Sequence, residues 1–178
     1  MEKMLLSTKT SDALDELVGA MFDQNRSWDR AVSWLQNKFS MPQAADIIHH
    51  NIAHLWPLLA DEISGFKDQY NMPTRYPATH EDNRTYADLY DMMETLLKEV
   101  SEVYEMIKIT YRIAKEEGDF NANAMLQKLM RQMTVVIGQV YTLRDKAEQM
   151  PIDYDTYDAH IDDWGIDGLD LNNMEQED

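Results

Sequence analysis

The chain has 178 residues, 33 acidic and 16 basic, for a formal net charge of −17. That length gives one domain with room for a sizeable core, the 44% apolar content is too high for a wholly disordered chain, and no apolar run of about 18 residues offers a membrane span. The absence of cysteine excludes disulfides, thiolate zinc sites and cysteine nucleophiles, the acidic balance argues against nucleic acid as a partner, and the first residues lack the apolar core of a secretion signal, so a cytoplasmic protein is expected.

After an N-terminal arm (residues 1–10), the first predicted helix runs from Ser11 to Phe39. Thr10 or Ser11 is the expected N-cap, and Asp12, Asp15 and Glu16 suit the positive end of the helix dipole. Leu14, Leu17, Val18, Met21, Trp28, Val32, Leu35 and Phe39 recur at three- and four-residue steps, the stripe of an amphipathic helix. Ser40 is the expected cap of the second helix, with Pro42 in its first turn. Its stripe is Ala45, Ile48, Ile52, Leu55, Leu59, Ile63 and Phe66, and Pro57 should kink or split it near Ala53–Trp56.

A connection from Tyr70 to Asn83 carries the breakers Pro73 and Pro77. The third helix is predicted from Arg84 to Glu117, with Leu89, Met93, Leu96, Val100, Val103, Ile107 and Ala114 on one face, and Gly118 ends it. The fourth runs from Phe120 to Gln149 on Leu126, Leu129, Met133, Val136 and Val140, and Pro151 stops it. Short turns join helices one–two and three–four, while a long connection joins the two hairpins. The pattern predicts an all-α, antiparallel four-helix bundle over residues 11–150, with one long crossover between helices two and three.

Charge divides the chain at Pro151. Residues 151–178 hold ten acidic residues and no Lys or Arg, and read as an acidic, flexible C-terminal tail. Ile161, Trp164, Ile166, Leu169 and Leu171 are spaced among its aspartates, so the tail could dock into the groove of a protein partner and fold on binding. Trp34, on the polar side of helix one, and Trp56, at the stripe margin of helix two, read as oligomer contacts.

One constellation stands out for chemistry: Asp46, His49, His50, His54 and Asp61 in helix two. Imidazole and carboxylate are the usual ligands of iron, zinc and manganese. On a regular helix Asp46, His50, His54 and Asp61 share an arc of roughly 80°, opposite the apolar stripe, and so face solvent or another subunit. Three readings stand side by side: a solvated face, metal ligation across a subunit interface, and a pH-sensitive contact through the histidines. Glu94, Glu99, Glu102 and Glu105 of helix three read as a charge ladder with Lys98 and Lys108. Glu99, at the stripe edge, with Glu102 and Glu105 is also a spacing that could hold Mg²⁺ in an all-helical nucleotide hydrolase.

The helix lengths, the single crossover and the stretch Ile113-Ala114-Lys115-Glu116-Glu117-Gly118-Asp119 leading into helix four resemble the ferritin-like superfamily, both ferritins and the Dps mini-ferritins. The resemblance spans residues 11–149. It implies a homo-oligomer, a dimer or larger shell, with iron as its metal: Fe²⁺ capture, ferroxidase oxidation, and storage or detoxification under stress. Ferritins point a carboxylate of helix one, a Glu-x-x-His of helix two and a carboxylate of helix three into the bundle. The nearest match here is Asp46-Ile47-Ile48-His49, with Asp46 and Glu16 outward, so that ligand set is incomplete. Dps proteins place a His-Trp pair late in helix one, where Ser33-Trp34 stands here. Their His-x₃-Asp corresponds to Asp46-x₃-His50 with the ligand types exchanged. Asp61 matches their next Asp, and Gly65 replaces the last carboxylate. The resemblance thus implies Asp46, His50 and Asp61 as metal ligands, with His49 and His54 as substitutes. Lys3 and Lys9 are the counterpart of the basic tails of DNA-binding members. The alternative is a non-catalytic four-helix bundle working through its acidic tail.

Overall fold

The computed structural model describes residues 5–76, 82–150 and 153–169; Lys3, Pro77, Pro151 and Leu171 lie outside them. Among the described residues all regular structure is helical: α1 (Thr8–Asn37), α2 (Pro42–Ile48), a π-helical segment (His49–Ala53), α3 (Leu55–Asp68), α4 (Leu89–Glu116), α5 (Phe120–Gln149), α6 (Tyr154–His160) and a 3₁₀ turn (Ile161–Trp164). The segments α2, π and α3 form one interrupted rod. This rod, α1, α4 and α5 are the four members of the expected bundle, and the long crossover joins α3 to α4.

Several helix ends differ from the sequence reading. Ser7, not Thr10 or Ser11, caps α1: its hydroxyl accepts from the Thr10 N–H at 3.1 Å, and Thr10 and Ser11 are buried inside the helix. Ser40 does not cap α2. It sits at φ 54, and the N-cap position is Met41, which has no side-chain acceptor. α4 starts at Leu89 rather than Arg84, because Asp88 caps it by accepting from the Asp91 N–H at 2.8 Å. The crossover is lengthened accordingly. The tight turn into α5 is as expected. Gly118 adopts φ 73, the Asp119 N–H reaches the Ala114 carbonyl at 2.8 Å and the Gly118 N–H reaches Lys115 at 3.2 Å, closing a Schellman turn.

Two long-range charge networks hold the crossover. Lys67 is fully buried with its Nζ 2.5 Å from Asp15 Oδ1, and the same carboxylate accepts from Arg75 N at 3.2 Å and Arg75 Nε at 3.1 Å. Asp15 is therefore the anchor of a buried ion pair, beyond its place near the helix dipole. Further on, the Arg84 guanidinium binds Asp82 at 2.8 Å, Ser27 Oγ at 2.6 Å and Glu99. Glu99 is thereby neutralised by an arginine, and its spacing with Glu102 and Glu105 does not form a cation site. Both of those are exposed, and Glu105 pairs with Lys108 at 3.1 Å.

The two tryptophans read as interface anchors are used within the chain. Trp34 is half-buried in edge-to-face contact with Tyr86 of the crossover (5.5 Å) and Phe39 (5.9 Å). Trp56 is fully buried. The acidic C-terminal segment likewise folds back onto the bundle as far as residue 169. Tyr157 and Ile161 are fully buried, Ile166 nearly so, and the Tyr157 hydroxyl donates to the Leu143 carbonyl at 2.8 Å. Asp158 accepts from the Ala44 N–H at 2.7 Å, supplying the cap that Met41 cannot. The Tyr154 hydroxyl accepts from the Leu89 N–H at 3.2 Å at the start of α4. The apolar residues read as bait for a partner thus serve, from Ile161 to Ile166, the chain's own core.

Candidate functional site

The interruption of the α2–α3 rod begins with Pro57. Proline has no N–H, so the Ala53 carbonyl four residues earlier loses its helical donor. The Asn25 side-chain amide from α1 takes that place at 3.1 Å. Just before it the backbone widens, and the His54 N–H bonds to the His49 carbonyl five residues back at 3.2 Å. On a regular α-helix residues five apart point about 140° away from each other. The π turn instead stacks them, and the His49 and His54 rings come to 4.2 Å between centroids. His50 joins them at 5.2 Å from His49 and 5.7 Å from His54.

This group lies on the outside of the rod, as its sequence phase predicts. His50, His54 and Asp46 are exposed and His49 is partly so. His50 Nδ1 lies 2.9 Å from the Asp46 carbonyl and 3.3 Å from Asp46 Oδ1. The tautomer that donates there leaves Nε2 with its lone pair. His49 Nδ1 lies 4.0 Å from Asp29 Oδ1 of α1, a carboxylate the sequence reading did not select. A carboxylate behind an imidazole is the arrangement that orients a metal-ligating histidine.

Asp61 is not part of this group. It lines a separate cleft between α3 and α5 with Glu62, Phe66, Met125, Lys128 and Arg131. The arc that united it with the histidines assumed an unbroken helical period. One extra residue in a turn rotates everything after it by about 100°. Among the described residues, no three His, Asp or Glu side chains are placed so that together they could hold a metal ion.

The bundle interior does not fit an intrabundle metal centre. Halfway along it, Gln24 and Trp28 of α1 face the Trp56 stretch of α3, a register fixed by the Asp15–Lys67 and Asn25–Ala53 contacts on either side. The Lys128–Glu62 pair at 3.9 Å puts Gln132 of α5 at nearly the same height. Gln24, Trp28, Trp56 and Gln132 are all buried. Trp28 Nε1 donates to Gln24 at 3.3 Å, while Trp56 Nε1 and both amide atoms of Gln132 have no hydrogen-bond partner. Of the carboxylates that reach the interior, Asp15 is bonded to Lys67 and Glu99 to Arg84 through Oε1, with Glu99 Oε2 buried and without a partner. Indoles and amides fill the space that carboxylate ligands would need.

No protein-family model and no curated protein matches the chain in sequence. Its fold does match solved structures. Two crystal structures of an open pore ferritin from the hyperthermophilic archaeon Archaeoglobus fulgidus superpose with a TM-score of 0.79 at 14% sequence identity. The match covers 88% of this chain and 96% and 97% of those chains. No helix among the described residues is long and apolar enough to cross a membrane. The all-helical bundle with its single crossover is therefore a ferritin-like fold.

Proposed function

We propose that this chain is an oligomeric ferritin-like protein that captures divalent iron, as cargo, on the outer imidazole face of the α2–α3 rod, with no oxidase centre inside its bundle. The observation that carries this reading is the gathering of three imidazole rings within 4.2–5.7 Å of one another on one outer face. π segments inside α-helices recur at functional sites. Asp46 and Asp29 bring carboxylates to the same face, and imidazole with carboxylate is a donor set for iron, zinc or manganese. The ferritin-like fold favours iron among them. Because the ligands of one chain do not converge, the reading includes self-association, with a second copy completing the ligand set. The carboxylates of Asp46 and Asp29 draw cations toward that face.

The filled midsection favours a second reading, a scaffold that keeps the bundle and binds no metal. Metal content and mass of the purified protein in solution separate the two. A large iron-bearing particle supports capture. A metal-free monomer or dimer that leaves Fe²⁺ oxidation at the buffer rate supports the scaffold.

A further inference from the structure

The widened turn at His49–Ala53 is held from two sides by asparagine side chains. On the inner side Asn25 of α1 takes the Ala53 carbonyl at 3.1 Å. On another side Asn51, the middle residue of the turn, donates to the Ile166 carbonyl at 2.7 Å. The oxygen of the same amide lies 3.4 Å from the place a Cβ would take on Gly168. Asn51 is half-buried there, while its neighbours His50 and His54 are exposed.

The C-terminal segment 153–169 holds α2 at a second point, where Asp158 accepts from the Ala44 N–H at 2.7 Å. Ala44 and Asn51 are seven residues apart, about two helical turns, so they share one face with the buried Ile48 between them. The segment thus restrains rotation of the rod ahead of the extra residue. Beyond the extra residue, Trp56, Leu59 and Ile63 are buried in the bundle and Lys67 is paired with Asp15. The segment is itself anchored on α5. The Tyr157 hydroxyl donates to the Leu143 carbonyl at 2.8 Å, and Gln139 donates to the Asp167 carbonyl at 2.9 Å.

We propose that Asn51 is a positioning residue for the imidazole face, through which the docked segment 153–169 keeps His49, His50 and His54 gathered. A π turn is an uncommon variant of the helix, and the polar partners on its two sides favour it here. Lifting the segment frees Asn51 and the α2 face, and the turn relaxes toward the regular helix, which sends His49 and His54 about 140° apart. The segment is then a release device: docked, it presents the rings as one donor face; lifted, it disperses them. By linkage, a cation bound to that face favours the docked segment in return. Iron as that cation rests on the function proposed above; the coupling between segment and rings does not.

The test reads the rings in metal-free, full-length protein. With isotope-labelled histidine, of which the chain has five, the NMR cross-peak between the ring protons of His49 and His54 reports their 4.2 Å stacking. Asn51→Asp keeps the shape of the side chain, but a carboxylate cannot donate to the Ile166 carbonyl. Ile166→Ala loosens the same contact from the segment. Each is expected to weaken the cross-peak at least about fivefold, because the regular helix turns the two rings about 140° apart. Val103→Ala truncates a buried side chain of α4, away from the segment, and should leave the cross-peak unchanged. A cross-peak unmoved by Asn51→Asp and Ile166→Ala in folded protein overturns the proposal. So does one weakened equally by Val103→Ala, or one absent from the parent chain. No metal enters this readout, so a parent chain that binds no Fe²⁺ yet shows the expected cross-peaks refutes iron capture and supports the coupling.

Discussion

The two sides of the α2–α3 rod have opposite chemistry. The midsection of its buried side, with the helices it faces, carries Trp56, Trp28, Gln24 and Gln132, packed and uncharged, and its buried charge near the end of α3, Lys67, is neutralised by Asp15. Its outer side carries Asp46, His49, His50 and His54, exposed wholly or in part and rich in metal donors. In the proposed reading the interior contributes stability and the outer face contributes the ligand chemistry. The link between the two is Pro57. It frees the Ala53 carbonyl on the inner side, where Asn25 binds it, and the neighbouring widened turn gathers the imidazoles on the outer side.

Truncating the interior should have the largest effect. Trp28→Ala is expected to lower the unfolding free energy by about 3–5 kcal/mol, read by urea denaturation, and to leave Fe²⁺ uptake of the folded protein unchanged. Loss of uptake in protein still folded would break the division between the two sides. Gln132→Leu removes a buried amide without partners and should raise stability by about 1–2 kcal/mol, in the same assay. A loss of stability instead would mean that the amide has a partner inside the bundle, such as a bridging water.

The crossover clamp provides a pH test. The side-chain hydrogen bond from Arg84 holds the Asp82 carboxyl below its ordinary range, against the opposing effect of its burial. A carboxyl lowered in the folded state stabilises the fold above its unfolded value, near pH 4. That contribution is lost as the pH falls through the folded value. Asp82→Asn should therefore show a smaller drop in melting temperature between pH 7 and pH 3 than the parent chain. An equal drop would place acid sensitivity elsewhere.

What the sequence made legible was local. The α5 boundaries, the Gly118 turn and the single crossover follow from apolar spacing and loop length, which neighbouring residues determine, and all appear in the structure. The outward face of the histidines was legible for the same reason. The π turn was not, because a periodicity reading assumes 3.6 residues throughout; that assumption drew Asp61 into the cluster, while Asp29, on α1, joins the face only through the packing of two helices. The Asp15–Lys67 pair, the Arg84 clamp on Glu99 and the Asp158 cap join residues 52 to 114 positions apart or through an intervening loop, and no local pattern encodes them. The acidic composition of the C-terminal segment hid Tyr157, Ile161 and Ile166, which are few but fully or almost fully buried.

The smallest expected change in stability belongs to the outer face, and it carries the central claim. His49→Ala/His50→Ala/His54→Ala alters surface-facing side chains and should shift unfolding by no more than about 0.5 kcal/mol per site. Anaerobic calorimetric titration of Fe²⁺ into this variant and into the parent chain is the most direct test. The account predicts saturable binding by the parent and none by the triple variant at unchanged fold. Equal binding by both, or no binding by the parent chain, would contradict it.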